Sequence, residues 1–177
     1  LPSYRGPAGA TDLDVVGIDV VFDGSAFRLR AVLNGAVGTT PGGFYVWGVN
    51  RGAGTQGFPV IAPGVLFDRV VILNNNGTGQ VAGFGALPAG SITISGNEIV
   101  GVVPLAALPS TGFAPANYTW NLWPRSPAIP GDAQANITDF APDNSNIGVT
   151  VVPAPAGALL AAQAGLVFIA FARFRRR

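Results

Sequence analysis

The sequence has no cysteine, no histidine and no methionine, and every one of its ten cationic residues is an arginine. Without Cys there is no disulfide, no thiolate nucleophile and no thiolate metal ligand. Without His the usual acid/base near neutral pH and the commonest metal ligand are missing, and a Ser-His-Asp triad is excluded. Charge is scarce as well: 11% of residues are Asp, Glu, Lys or Arg, against roughly 25% in an ordinary soluble domain. The absence of Met means that Leu1 is not a translation start, and the expectation is a signal peptide removed before it.

Glycine (25) and proline (15) are plentiful in the 177 residues, so secondary-structure elements should be short and turns many. The net charge of +1 conceals an asymmetry. Arg173, Arg175, Arg176 and Arg177 lie in the last five residues, and the rest of the chain has six Arg against nine acidic residues. A mildly acidic body offers no field for nucleic acid.

Period-2 alternation dominates that body. Val16, Ile18, Val20 and Phe22 share one face, and Asp23-Gly24 follows as a two-residue hairpin turn. Phe27, Leu29, Ala31 and Leu33 alternate with Arg28 and Arg30. Residues 44–49 form a strand apolar on both faces, and residues 65–73 a strand punctuated by Asp68 and Arg69. Further strands are expected at 80–84, 91–95, 98–103, 118–122 and 147–152, with Gly96-Asn97 turning one hairpin. Residues 104–108 supply at most one helical turn, and 124–143 read as a surface loop. Eight or nine short strands joined by Gly/Pro/Asn-rich turns predict an all-β, antiparallel β-sandwich over residues 1–150, with the jelly roll among its variants.

The tail differs from everything before it. Residues 156–172 are 17 positions with no charge and one polar side chain, Gln163. As a helix they would span about 25 Å, close to a ~30 Å hydrocarbon core. Leu159, Leu160, Leu166, Val167, Phe168, Ile169 and Phe171 would face lipid, and Arg173, Arg175, Arg176 and Arg177 would hold the cytoplasmic side. The body then lies in the periplasm or outside the cell, joined through a stiff Pro-rich linker at 151–155.

Val152-Pro153-Ala154-Pro155, an apolar run and an Arg-rich end together resemble the PEP-CTERM sorting signal of exported bacterial proteins. Ala154 stands where that family has Glu. The resemblance covers about 26 residues and implies an exported protein of the bacterial inner membrane or cell surface, handled by an exosortase.

Several motifs suggest ligands, each with a plainer structural reading. Residues 52–57 match G-x-G-x-x-G, but Phe58-Pro59 and Pro63 forbid the helix that a dinucleotide site needs. Residues 74–79 and the group Asp139, Asp143, Asn144 and Asn146 offer oxygens to a sugar or a hard cation, or simply form turns. The cation group lacks the EF-hand spacing. Asp12, Asp14, Asp19 and Asp23 supply the carboxylates a glycosidase would need, or face solvent on strands. Asn76, Asn117 and Asn136 begin Asn-x-Thr triplets, which matter only in a glycosylating host.

Tyr118, Trp120, Trp123 and Arg125 are residue types that anchor protein contacts, with core packing as the plainer role and a sugar platform as another. The sequence therefore predicts a non-enzymatic module without cofactor or metal. Its partners would be membrane lipid and the subunits of a larger membrane complex, respiratory or photosynthetic for example. The alternative is an exported surface or matrix protein linked to polysaccharide.

Overall fold

A computed structural model of the chain describes residues 4–127 and 134–153. These residues form two five-stranded sheets and one two-stranded ribbon, with 3-10 turns as the helical content. The protein is all-β and its pairings are antiparallel, except one short parallel pair at an edge.

The first sheet has the order β12-β1-β2-β10-β9, from β1 (Val15–Phe22), β2 (Ala26–Leu33), β9 (Ile92–Ser95), β10 (Glu98–Pro104) and β12 (Thr150–Val151). The second has the order β11-β3-β6-β7-β8, from β3 (Phe44–Asn50), β6 (Arg69–Asn74), β7 (Gly79–Val81), β8 (Gly85–Ala86) and β11 (Thr119–Arg125). The ribbon pairs β4 (Thr55–Gln56) with β5 (Leu66–Phe67). Asp68 separates β5 from β6, so the single strand expected over 65–73 is two.

Alternating side chains of both sheets meet in one core. Val20, Phe22, Phe27, Leu29, Leu33 and Ile99 come from the first sheet. Tyr45, Trp47, Val71, Leu73, Trp120 and Leu122 come from the second. Phe27 ties the two together, with its ring 5.4 Å from Tyr118 and 5.3 Å from Trp120.

The expected face of β1 is corrected at one residue. A bulge between Val15 and Gly17 puts Val15 in the core and leaves Val16 51% exposed. An extra residue in one strand reverses the alternation on its far side. The β1–β2 turn also sits one residue later than expected. Asp23 N–H donates to the Ala26 carbonyl, and Gly24, with φ +92°, occupies the corner. The Gly96-Asn97 hairpin forms as read, with Ser95 paired to Glu98.

The outward faces of the two sheets differ. On the first, Asp19, Arg28, Arg30, Glu98, Thr93 and Val102 are exposed or half-exposed. On the second, Val46 and Trp123 pack beneath Phe58, Ala62, Val65, Ile137 and Phe140 in a separate apolar cluster. Residues 44–49 are therefore buried on both faces, which is why their apolar run shows no alternation. Gly48 lets this layer close, because a Cβ there would overlap the Trp123 ring. The segment 137–141, read from sequence as part of a surface loop, lies buried against β11 through bridges Arg125–Ile137 and Leu122–Ala141.

The membrane anchor expected at residues 156–172 and the arginines expected behind it lie outside the described residues. No helix among the described residues is long and apolar enough to cross a membrane. The linker expected at 151–155 begins later: Val151 belongs to β12, and Val152 N–H donates to the Phe22 carbonyl at 2.9 Å.

Candidate functional site

The strongest candidate for a protein contact in the sequence is corrected by burial. Tyr118, Trp120 and Trp123 are buried to within 1% of complete, so their rings are not surface anchors. The alternation of β11 sends Tyr118 and Trp120 into the core between the sheets and Trp123 to the opposite face, where Phe58 meets it edge-on at 5.0 Å. A strand covered on both sides carries aromatic residues at both parities. Tyr118 donates its hydroxyl to the Leu108 carbonyl at 3.0 Å, and burial raises its pKa. Arg125 ends β11 half-buried, and desolvation lowers its pKa.

The carboxylates are engaged in holding turns and pairing strands. Asp12, although buried, accepts from the backbone N–H groups of Gly38 and Thr40 and from the Thr40 hydroxyl. Asp14 accepts from Asn34, and Asp23 closes its own turn by accepting from Ser25 and Ala26. The backbone N–H and the hydroxyl of Ser25, with the Ala26 N–H, hold Asp23 below the ordinary carboxylate range. Asp19 and Glu98 flank Arg30 at 3.0 and 2.7 Å across the open face of the first sheet. Asp12, Asp14, Asp19 and Asp23 are thus distributed along the chain's turns and one strand.

Asp68 and Arg51 form an ion pair at 2.9 Å that sequence reasoning passed over. Arg51 also donates to the Pro109 carbonyl, and Thr111 donates to Asp68. Burial pushes the Asp68 carboxyl up, but the bonds from Thr111 and Arg51 and the guanidinium charge outweigh it and hold it low. The pair fastens the 105–117 segment to the end of β3. The scarcity of charge was the available signal: an Arg directly after an apolar strand in such a chain is a candidate for a buried pair.

The oxygen-rich group near residue 140 disperses in the same way. Asn144 accepts from Gly64, and Asn146 both accepts from and donates to Leu66. Together they staple the outer layer to the body. Among the described residues no three acidic side chains gather as a metal site would need. Residues 52–57 run into β4 with no helix following, and Asn50 accepts from Gly52 and Gly54. Residues 74–79 form a hairpin turn closed by Thr78 on Asn76 and Asn74.

What remains is a cleft of about 340 Å3 lined by Arg5, Ile61, Gln134, Ile137, Asp139, Phe140 and Asp143. Asp139 lies at its floor, 2% exposed, accepting from Val15 N–H and Phe140 N–H at 2.8 Å each. Burial pushes its carboxyl up to about 6, outweighing those two bonds, and Asp14 and Asp143 add to the rise. Both oxygens being held by backbone, Asp139 works first as a clasp between β1 and the 137–141 segment. Tyr4 and Arg5 extend the clasp: Arg5 N–H donates to the Thr138 carbonyl at 2.6 Å and the Tyr4 hydroxyl to Ala10 at 3.0 Å.

Comparison of the chain with protein-family models, with curated proteins and with solved structures finds no match.

Proposed function

We propose that this chain is a β-sandwich module that works by contact and carries out no chemistry. Its C-terminal apolar run holds it on the outer face of a bacterial inner membrane, where it braces a larger membrane complex. The observation that carries this reading is the placement of β12. It runs along the edge of the first sheet to Val151, one further bond holds Val152, and the apolar run begins four positions later at Ala156. A folded body tied this closely to a bilayer meets other proteins of the same membrane at high effective concentration, so a modest interface suffices to hold a partner. Two further features support it. The described carboxylates serve turns, clasps and ion pairs, and the outward face of the first sheet presents Asp19, Arg28, Arg30 and Glu98 in a patterned array.

The test is gentle solubilisation of native membranes followed by an inventory of what travels with the chain. Co-migration with one complex is expected, and protease added to spheroplasts should remove the body and spare the basic end. If the chain migrates alone, the subunit reading fails. A second reading then leads, that of an exported surface or matrix protein of the PEP-CTERM kind in contact with polysaccharide. The cleft beside Asp139 favours that alternative, since Arg5, Gln134 and Asp143 offer polar groups next to the apolar Phe140 and Ile61.

A further inference from the structure

The two ends of the body are unlike. One end holds the β1–β2 turn, the departure of the chain after β12, and the segment that crosses from β10 to β11. The pairings Phe22–Val151, Pro104–Ala26 and Thr119–Asn50 place all three together. The Phe22, Phe27 and Tyr118 rings stack beneath them.

This end is closed by residues 105–117, fastened through Leu105 N–H to the Ser25 carbonyl and Phe113 N–H to the Arg51 carbonyl. No charged residue occurs anywhere from Ile99 to Pro124. The cap's outer residues, 109–114 and 116–117, are exposed, and among them is Phe113. The Val151 and Val152 side chains are exposed on the same end. Arg51 and Asp68, which lie under the cap, are paired and turned inward. The opposite end, near the start of β1, carries Arg5, Asp14 and Asp143 around the buried Asp12 and Asp139.

From these observations we infer that the capped end, led by Phe113, rests on the membrane surface and meets the headgroup–acyl boundary of the lipid. The inference rests on the reading of residues 156–177 as an anchor. Distance supplies the argument. From Val152 to Ala156 an extended chain reaches at most about 14 Å. The end from which the chain departs therefore cannot stand far from the bilayer, while the other end of β1 lies roughly 23 Å away along the strand. Chemistry agrees with distance. The cap has no charge of its own and an exposed aromatic ring, so it loses little on entering the interface, while the Asp23 carboxylate of the adjoining β1–β2 turn, held by Ser25 and Ala26, stays at the level of the polar headgroups. An uncharged cap has no preference for anionic lipid, so zwitterionic lipid is the fitting partner.

The absence of cysteine makes the test clean. Phe113→Cys, Ala116→Cys and Val16→Cys each give the full-length chain one thiol for a fluorescent label. The labelled chains are placed in phosphatidylcholine vesicles containing nitroxide-bearing phosphatidylcholine. Emission from the buried tryptophans checks that each variant is folded, and Ala116→Cys stands in if Phe113→Cys is not. The expected result is quenching at 113 and 116 several-fold stronger than at 16, and unchanged by salt. Equal quenching at all three sites, in a chain that resists carbonate extraction, overturns the inference and leaves the anchor standing. A chain that carbonate strips from the vesicles overturns both.

Discussion

The two sheets share one core but solve the problem of their outer faces differently. The first uses its sequence alternation: Phe27, Leu29, Ala31 and Leu33 turn inward, and Arg28 and Arg30 turn to solvent with Asp19 and Glu98 beside them. The second puts apolar residues on both faces and covers the outer one with irregular chain, residues 58–67 and 137–141. A sheet in the first style can be read from its strands alone. A sheet in the second style can be read only together with the segments that cover it, which are distant in sequence and carry no period of their own.

The comparison is broken most directly at tryptophan. Trp120 faces the common core and Trp123 the outer layer. If the outer layer is a true core, Trp123→Ala should cost as much as Trp120→Ala, about 3–5 kcal/mol each by urea unfolding. A cost near zero for Trp123→Ala would reduce the outer layer to a loose covering.

Glycine gives the next largest contrast. Gly48 on β3 faces Trp123, and a Cβ there would overlap that ring and press on Phe67. Gly48→Ala should therefore destabilise by about 1–3 kcal/mol. Gly17, on the outward face of β1, has open space at the same position. Gly17→Ala should stay within about 0.5 kcal/mol of the parent. Paired thermal melts of the two variants measure the difference.

A smaller effect should appear with pH. The Asp139 carboxyl, pushed up to about 6 from 3.8 in the ordinary state, binds its proton more tightly folded than unfolded. Its stabilising contribution is complete below pH 4 and is lost as pH rises through 6. Asp68 and Asp23 are shifted the other way, so their contributions fail as pH falls below 4. The urea midpoint should thus rise between pH 7.5 and 5 and fall again in stronger acid. Asp139→Asn should flatten the upper part of that profile while leaving the acid limb.

The smallest effect is expected on the open face. Arg30 bridges Asp19 and Glu98 across three strands, but in water such pairs contribute little. Arg30→Ala should leave the urea midpoint where it was. A clear loss would mean that the first sheet depends on its outer face as the second does.

Much of the first sheet was legible in the sequence, because β2 and the β9–β10 hairpin follow simple alternation and a Gly-Asn turn. The exception is Val16, where the bulge before Gly17 breaks the period at a place no side-chain pattern marks. In the second sheet β3 and β11 were legible, but the strand expected at 80–84 ends at Val81 and turns through 82–84 into β8, and the surroundings of the sheet were not legible. Trp123 and Arg125 look like surface anchors until Phe58, Phe67 and Phe140 are seen to come over them from 65, 56 and 17 residues away from Trp123. The oxygen-rich residues near 140 left a cation or plain turns open, and the role that Asn144 and Asn146 take, binding the backbone of Gly64 and Leu66, depends on a segment some 80 residues away.

The short parallel pair of β12 with β1 has a mechanical meaning. The last described bond of this edge joins Val152 to Phe22, just beyond the two strand residues of β12. A pull along the axis of β12 loads this edge along the strand, so its few bonds resist together in shear instead of parting one after another like a zipper. Loss of that edge would free residues 150–152 as slack, up to the segment that the paired bonds of Ile147 with Trp120 hold on β11. On the proposed anchoring, a body jostled by its membrane would keep its shape under small forces and lengthen its leash under large ones.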